Sequence, residues 1–294
     1  MSAAYAQRAP GDIRWSLFLW PAVAISALLL VLPQAAFIIM SFHGDLGFGQ
    51  VDDRFTLGNY LRILTDPFYL EAIWLTVYLS AITTVAGLLL GFPTAYALAR
   101  LGGARASILL SLVVITSLVT IVIKVMGLKI LLGSAGLLNG LLIYLGVISN
   151  PLQLVNNETG VVIGLIQYTL PILILMLYSG VQTIPANLEE AAAILGASKW
   201  SVFRKVIIPL SVPSLVAGAL IAFNMSMGAF TSAVLLGGGR VRTLPVLIES
   251  KIIQSSEYGL GAALSTTLLL FVFALNVAVG GLVMRGRRRG PRHA

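Results

Sequence analysis

Cysteine is absent from this chain, and only two histidines are present, His43 and His293. Without cysteine there are no disulfides and no thiolate metal sites. The two histidines lie far apart, one in a loop and one in the tail, which excludes a helix-borne metal pair. Charge is scarce as well. Only 10% of the 294 residues are Asp, Glu, Lys or Arg, against 58% hydrophobic and a mean hydropathy of +0.95. A soluble fold of this length cannot hide that much apolar surface, whereas a bilayer accommodates it. There is no G-x-x-x-x-G-K-[ST] loop to cradle a nucleotide and no G-x-S-x-G nucleophile elbow. The apolar runs also lack the carboxylates or His–Ser pair of an intramembrane enzyme. The chain is therefore not expected to be an enzyme.

What is there is a series of apolar runs. A spanning helix takes about 20 such residues, and six runs meet that length: 15–40, 70–99, 107–131, 160–182, 212–236 and 259–284. The first is too long for a signal-peptide core and is read as a retained span. The stretch 133–150 is apolar but interrupted by Gly133, Gly136, Gly140 and Gly146 and closed by Asn150-Pro151, which predicts a short interfacial or re-entrant helix. The expected fold is all-α: a polytopic membrane protein whose transmembrane domain, 15–284, lies between a polar segment, 1–14, and a basic tail, 285–294.

Charge orients these spans. With both termini in the cytoplasm, the inner segments hold Arg8, Arg14, Arg100, Arg105, Lys199, Arg204, Lys205, Arg285, Arg287, Arg288, Arg289 and Arg292. The outer ones hold Arg54, Arg62, Arg240, Arg242 and Lys251, with Lys124 and Lys129 near the outer end of the third span, a bias that follows the positive-inside rule. The net charge of +8 is thus concentrated beside apolar runs, as in a membrane anchor rather than a nucleic-acid footprint.

One segment is longer than a turn between spans requires. Residues 185–210 read PANLEEAAAILGASKWSVFRKVIIPL and fall on the cytoplasmic side. Asn187 is placed to cap a helix, with Glu190 three residues on to complete a capping box. Gly196 ends that helix. Ser198 is placed to cap a second, which carries Trp200, Phe203 and Val206 on one face with Lys199, Arg204 and Lys205 around it. Two short helices joined by a bend suit either an interfacial pair against lipid headgroups or a docking element for a cytoplasmic partner.

Glu190-Ala191-Ala192, then Gly196, then Val206-x-Ile208-Pro209 resembles the EAA loop of binding-protein-dependent ABC importer permeases, which reads E-A-A, three residues, G, nine residues, I-x-L-P. Val206 and Ile208 are mild departures. The resemblance extends to Phe55–Tyr60, Asp66–Tyr69, Gly127–Ile130, Gly136–Asn139 and Leu145–Ile148. There the chain is most similar to the first of the two permease subunits of spermidine/putrescine-type systems. The resemblance implies an inner-membrane subunit working with a cytoplasmic ATPase dimer, a second (sister) permease and a periplasmic substrate-binding protein, in contact with lipid and without nucleic acid. ATP and magnesium would be bound by the ATPase, and no cofactor by this chain. It further implies that the loop docks in the ATPase, with Glu190 pairing a basic group, Ala191 and Ala192 in the helix, Gly196 at the bend, Trp200 and Phe203 as buried anchors, and Pro209 leading into the next span.

Polar residues inside spans are pathway candidates, because lipid-facing ones are penalised. Thr116, Thr120 and Lys124 fall at i, i+4 and i+8 of a continuous helix. Asn224, Gly228, Thr231 and Ser232 form a second small, polar stripe, and Tyr168, Pro171 and Tyr178 a third group. Helix packing competes with a pathway for each, and a lysine near a span end also snorkels. No Asp or Glu falls in a predicted span core. A dication would thus rely on carbonyls, hydroxyls, cation–π contacts with Tyr168, Tyr178 or Trp74, or a partner's carboxylates. Opines, aminophosphonates and amino-acid derivatives are the alternative cargoes. A stand-alone secondary transporter is the alternative function, and predicts inverted repeats and broken helices at mid-membrane.

Overall fold

The computed structural model describes residues 15–288, with side chains described between 20 and 281. The segment 1–14, with Arg8 and Arg14, and the tail residues 289–294 lie outside the described residues, as do the side chains of Arg285, Arg287 and Arg288. In chain order the elements are α1 (Trp15–Met40), β1 (His43–Gly47), β2 (Gln50–Phe55), α2 (Gly58–Thr65), α3 (Pro67–Leu101), α4 (Gly103–Leu118), α5 (Ile121–Leu132), α6 (Leu137–Tyr144) and α7 (Glu158–Gln182). There follow α8 (Asn187–Ile194), α9 (Lys199–Val202), α10 (Ile208–Met227), α11 (Phe230–Gly237), α12 (Leu244–Glu249) and α13 (Tyr258–Arg288). Among the described residues, six helical stretches are long and apolar enough to cross a membrane. The all-α architecture holds, with one small addition: β1 and β2 pair antiparallel as a hairpin in the first long loop.

The helix starts follow local chemistry. Asp66 caps α3 by accepting the Phe68 N–H at 3.0 Å, with Pro67 in the first turn, where its missing N–H costs nothing. Asn157 caps α7 by accepting the Gly160 N–H at 2.9 Å. Along α3 the buried residues Ala72, Thr76, Ser80, Thr83, Gly87, Gly91, Ala95 and Leu98 recur every three or four positions, forming one stripe of mostly small side chains. Small residues let helix backbones approach closely where lipid supplies no hydrophobic drive, and α3 makes its most extensive contact with α7, where Gly87 and Gly91 lie against Leu173.

Three apolar clusters fill the bundle at successive depths. Ile63, Tyr69, Leu244 and Leu260 hold the hairpin end, and Leu79, Val125, Leu165 and Leu236 the next level. Phe92, Leu173, Leu177 and Ile207 hold the opposite end, beside the 187–207 loop. Helix α1 has no buried side chain from Trp20 to Met40, and α13 is its main contact.

The expected third span, 107–131, is not one helix. Val119 (ψ 131°) and Thr120 (ψ 135°) are extended, separating α4 from α5. Leu110 and Val113 pack on the cluster at the loop end, while Val125 belongs to the next level up. The chain thus changes depth across the break. The apolar stretch long enough to span here runs from Ile121 to Tyr144, combining α5 and α6, with α4 a shorter apolar helix before it. The short helix expected in 133–150 is α6. Its Asn139 is fully buried, donating to Gly133 O and Leu152 O and accepting from Leu152 N.

The candidate coupling loop and intramembrane polar groups

The loop between α7 and α10 leaves the bundle as two short helices. Gly196 between them has φ +81°, which an L side chain adopts only with strain, so glycine makes the bend. Ser198 caps α9, accepting the Ser201 N–H at 3.2 Å. Asn187 caps nothing. Helix α8 begins a residue earlier than the capping pattern predicts, because Ala186 is already helical (φ −63°, ψ −26°). Pro185 O and Ala186 O accept the N–H groups of Leu188, Glu189 and Glu190, closing the first turn on backbone alone. The predicted capping box does not form, and no side-chain hydrogen bond involves Glu190 among the described residues.

After α9 the chain makes one wider turn, Phe203–Ile207, with i→i+5 bonding, before α10. A proline in a helix clashes with the carbonyl four residues earlier and leaves it without a donor. The wider turn sits where Pro209 would press on Lys205, and relieves that conflict.

The exposed face of this loop is apolar with a carboxylate. Ile194 is 87% exposed, Leu195 88% and Trp200 68%, with Glu190 and Ala191 exposed beside them. Phe203 does not share that face. Its ring lies 5.6 Å from Phe92, 5.2 Å from Tyr96 and 5.7 Å from Trp200, packed into the chain's own core. Of the two expected aromatic anchors, only Trp200 is free for a partner, because the wider turn directs Phe203 inward. Ala192 is half-buried and Pro209 exposed.

The loop is also tied to the bundle by a carboxylate that the sequence pattern did not single out. Glu189 Oε1 accepts from Arg100 Nε at 2.6 Å and forms an ion pair with Nη2 at the same distance, and its Oε2 accepts from the Tyr96 hydroxyl at 2.8 Å. Arg100 Nη2 donates as well to Ile184 O at 3.2 Å. A cavity of about 910 Å³ lies between α3 and the loop helices, bounded by Leu88, Phe92, Arg100, Glu189, Glu190 and Trp200.

The three intramembrane groups do not form three stripes. The break at Val119–Thr120 removes Thr116, Thr120 and Lys124 from a common face. Thr116 and Thr120 are exposed, and Lys124 Nζ donates to Thr116 O at 3.1 Å. That bond satisfies a carbonyl orphaned at the end of α4, so Lys124 acts as a helix cap. The second stripe is interrupted at Gly228 and Ala229, which separate α10 from α11. Asn224 instead pairs reciprocally with Asn276 on α13, at 3.0 and 3.2 Å. Asn276 was missed because its partner lies 52 residues away. Thr231 is half-buried and Ser232 wholly buried. Ser232 sits where a Cβ on Gly164 would lie 3.4 Å from it, which marks close packing of α11 on α7. Tyr168 packs near Val161 and Leu236, while Tyr178 bonds Gln182 and packs with the cluster at the loop end, so these tyrosines lie at different depths. Pro171 is buried within an unbroken α7.

The family described as binding-protein-dependent transport system inner membrane component matches residues 85–286, which include this loop and most of the bundle. The chain belongs to that family. This permease is 36% identical over 245 residues to the spermidine/putrescine transport system permease protein PotB of Escherichia coli (strain K12), covering 83% of the chain and 88% of that protein. It is 34% identical over 250 residues to PotB of Haemophilus influenzae, covering 83% and 87%. The molybdenum transport system permease protein ModB of Mycobacterium tuberculosis is 31% identical over 225 residues, covering 76% and 82%. Among solved structures, the permease shares its fold with a chain of a bacterial ABC transporter that imports the acidic polysaccharide alginate (TM-score 0.75, 16% identity, 94% and 96% covered). It also matches a chain of the MetNI methionine ABC transporter (TM-score 0.56, 18% identity, 75% and 98% covered). The permease is thus the membrane component of an ABC importer.

Proposed function

We propose that this permease imports a polyamine such as spermidine or putrescine, handed over by a periplasmic binding protein and driven by a separate cytoplasmic ATPase that binds ATP and magnesium. The 34–36% identity to two PotB proteins supports the cargo. In this reading the 187–207 end faces the cytoplasm together with both termini, in line with the excess of Lys and Arg on that side. The hairpin end faces the binding protein, and a sister permease completes the pathway. The observation that carries the coupling role is the unpartnered face of Glu190, Leu195 and Trp200 outside the bundle. Aromatic anchors of this kind commonly dominate an interface. Glu190 meets a basic group on the ATPase, Ala191 and Ala192 keep the helix narrow, and Gly196 sets the bend.

The test is ATP hydrolysis by the permease co-purified with its ATPase and sister permease in lipid, with and without binding protein loaded with spermidine. Stimulation that disappears with Glu190→Ala supports the reading. Failure to co-purify, or hydrolysis indifferent to the binding protein, overturns it. A ligand screen on the binding protein separates polyamines from opines, aminophosphonates and amino-acid derivatives.

A further inference from the structure

The loop carries two adjacent carboxylates that face different ways. Residues next to each other on a helix project about 100° apart. Glu190 is exposed, whereas the Glu189 side chain is 20% exposed and that of Arg100, its partner, 24%. Glu189 accepts two hydrogen bonds, from Tyr96 and Arg100 of the one helix α3, and pairs ionically with Arg100 as well. Arg100 sits at the C-terminal end of α3, where a cation suits the helix dipole, and its fork also reaches Ile184 O just before the loop. No other side-chain hydrogen bond or ion pair joins α8 to the bundle among the described residues. Beyond this contact α8 is largely exposed, with none of its residues buried.

We propose that Glu189 is the latch through which α8 moves α3: a positioning residue that converts displacement of the loop into displacement of the longest helix of the bundle. This rests on the coupling reading above, but assigns the two carboxylates separate tasks, Glu190 to the ATPase and Glu189 to the membrane helices. Two hydrogen bonds and an ion pair on one carboxylate fix both distance and direction, which a lone apolar contact does not. A cavity of about 910 Å³ lies beside the latch, and the apolar contact of the loop with α3 is made beyond α8, by Phe203 against Phe92 and Tyr96. Without the latch, α8 stays docked and follows the ATPase while α3 lags behind.

The reconstituted complex of permease, sister permease, ATPase and loaded binding protein tests this through two separate readouts, ATP hydrolysed and cargo taken up. With Glu189→Gln we expect co-purification and stimulated hydrolysis within about twofold of wild type, and uptake per ATP reduced about tenfold or more. Glutamine still accepts from Tyr96 but loses the ionic pair to Arg100. The chain has no cysteine, so Arg100→Cys with Glu189→Cys places the only thiols of this chain at the latch. Uptake per ATP is low in that variant and recovers when a short bis-maleimide joins the two thiols. Unchanged uptake per ATP in Glu189→Gln overturns the latch. So does loss of ATPase binding with that variant, which would make Glu189 a docking group, and so does failure of the cross-link to restore coupling. A wild-type complex that neither assembles nor responds to binding protein instead overturns the importer reading, which keeps the two failures apart.

Discussion

The two ends of the bundle solve opposite problems. At the hairpin end, polar groups from distant segments satisfy one another. Asp45 accepts the N–H groups of Gly259 and Leu260 at 2.7 and 2.9 Å, capping α13 from more than 200 residues away. Asn59 donates to Ser41 O and His43 O, Thr76 Oγ1 accepts the Leu244 N–H, and Glu257 meets Lys251 and Arg62. At the other end, Glu189, Val202, Phe203 and Ile207 turn inward, while Ile194, Leu195 and Trp200 are exposed. At the hairpin end side chains from distant segments hold the loop backbone, although Phe48 and Phe55 stay exposed; at the other end α8 meets the bundle through the polar contacts of Glu189. The difference separates residues expected to act on stability from residues expected to act on a partner, which burial of the spans alone does not do.

Substitutions break or sharpen that contrast. The largest effect falls on binding, not stability. Trp200→Ala should weaken ATPase association by roughly 2–4 kcal/mol, as loss of an interface anchor does, while the unfolding temperature barely moves; titration of the ATPase onto the permease in nanodiscs measures it. Asp45→Ala should do the reverse. Two N–H groups at the start of α13 lose their acceptor, which costs about 1–3 kcal/mol of stability. Thermal unfolding in detergent should show it, with ATPase affinity intact. Between the ends, Asn224→Leu leaves the Asn276 amide short of its cross-helix partner within the bundle, at about 1 kcal/mol. The Asn224→Leu/Asn276→Leu pair should recover part of that loss in the same unfolding assay. Smallest is Arg62→Ala. Its ion pair with Glu257 is 3.9 Å long and the arginine side chain 55% exposed, so less than about 0.5 kcal/mol is expected, vanishing in high salt. A large Arg62 effect, or a Trp200 effect on stability, would erase the distinction between the ends.

Features with a local cause were legible in the sequence. Six apolar stretches, the bend at Gly196, the Ser198 cap and the short helix after Gly136 each follow from residues within a turn or two. The spacing of the EAA loop carries the family by itself. What escaped reading had a distant or collective cause. The break at Val119–Thr120 carries neither proline nor glycine, and a run of uniformly apolar residues looks the same whether one helix or two. The stripes through Lys124 and Asn224 assumed helices that the backbone interrupts. Arg100 and Glu189, 89 positions apart, and Asn224 and Asn276 become partners only when spans pack. Between Glu189 and Glu190, the motif drew attention to the one that faces outward.

The wider turn at Phe203–Ile207 works as an indexing device. It holds one residue more than a regular turn would, so everything before it is rotated by about 100° relative to α10. That rotation is what directs Phe203 inward and leaves Trp200 outside. A gene that lost one codon there could still encode a continuous helix of ordinary pitch, with every residue type retained. Yet its outward and inward faces would be exchanged for neighbouring ones. In this segment, length carries information that composition does not, and a deletion of one residue is a deeper change than most substitutions.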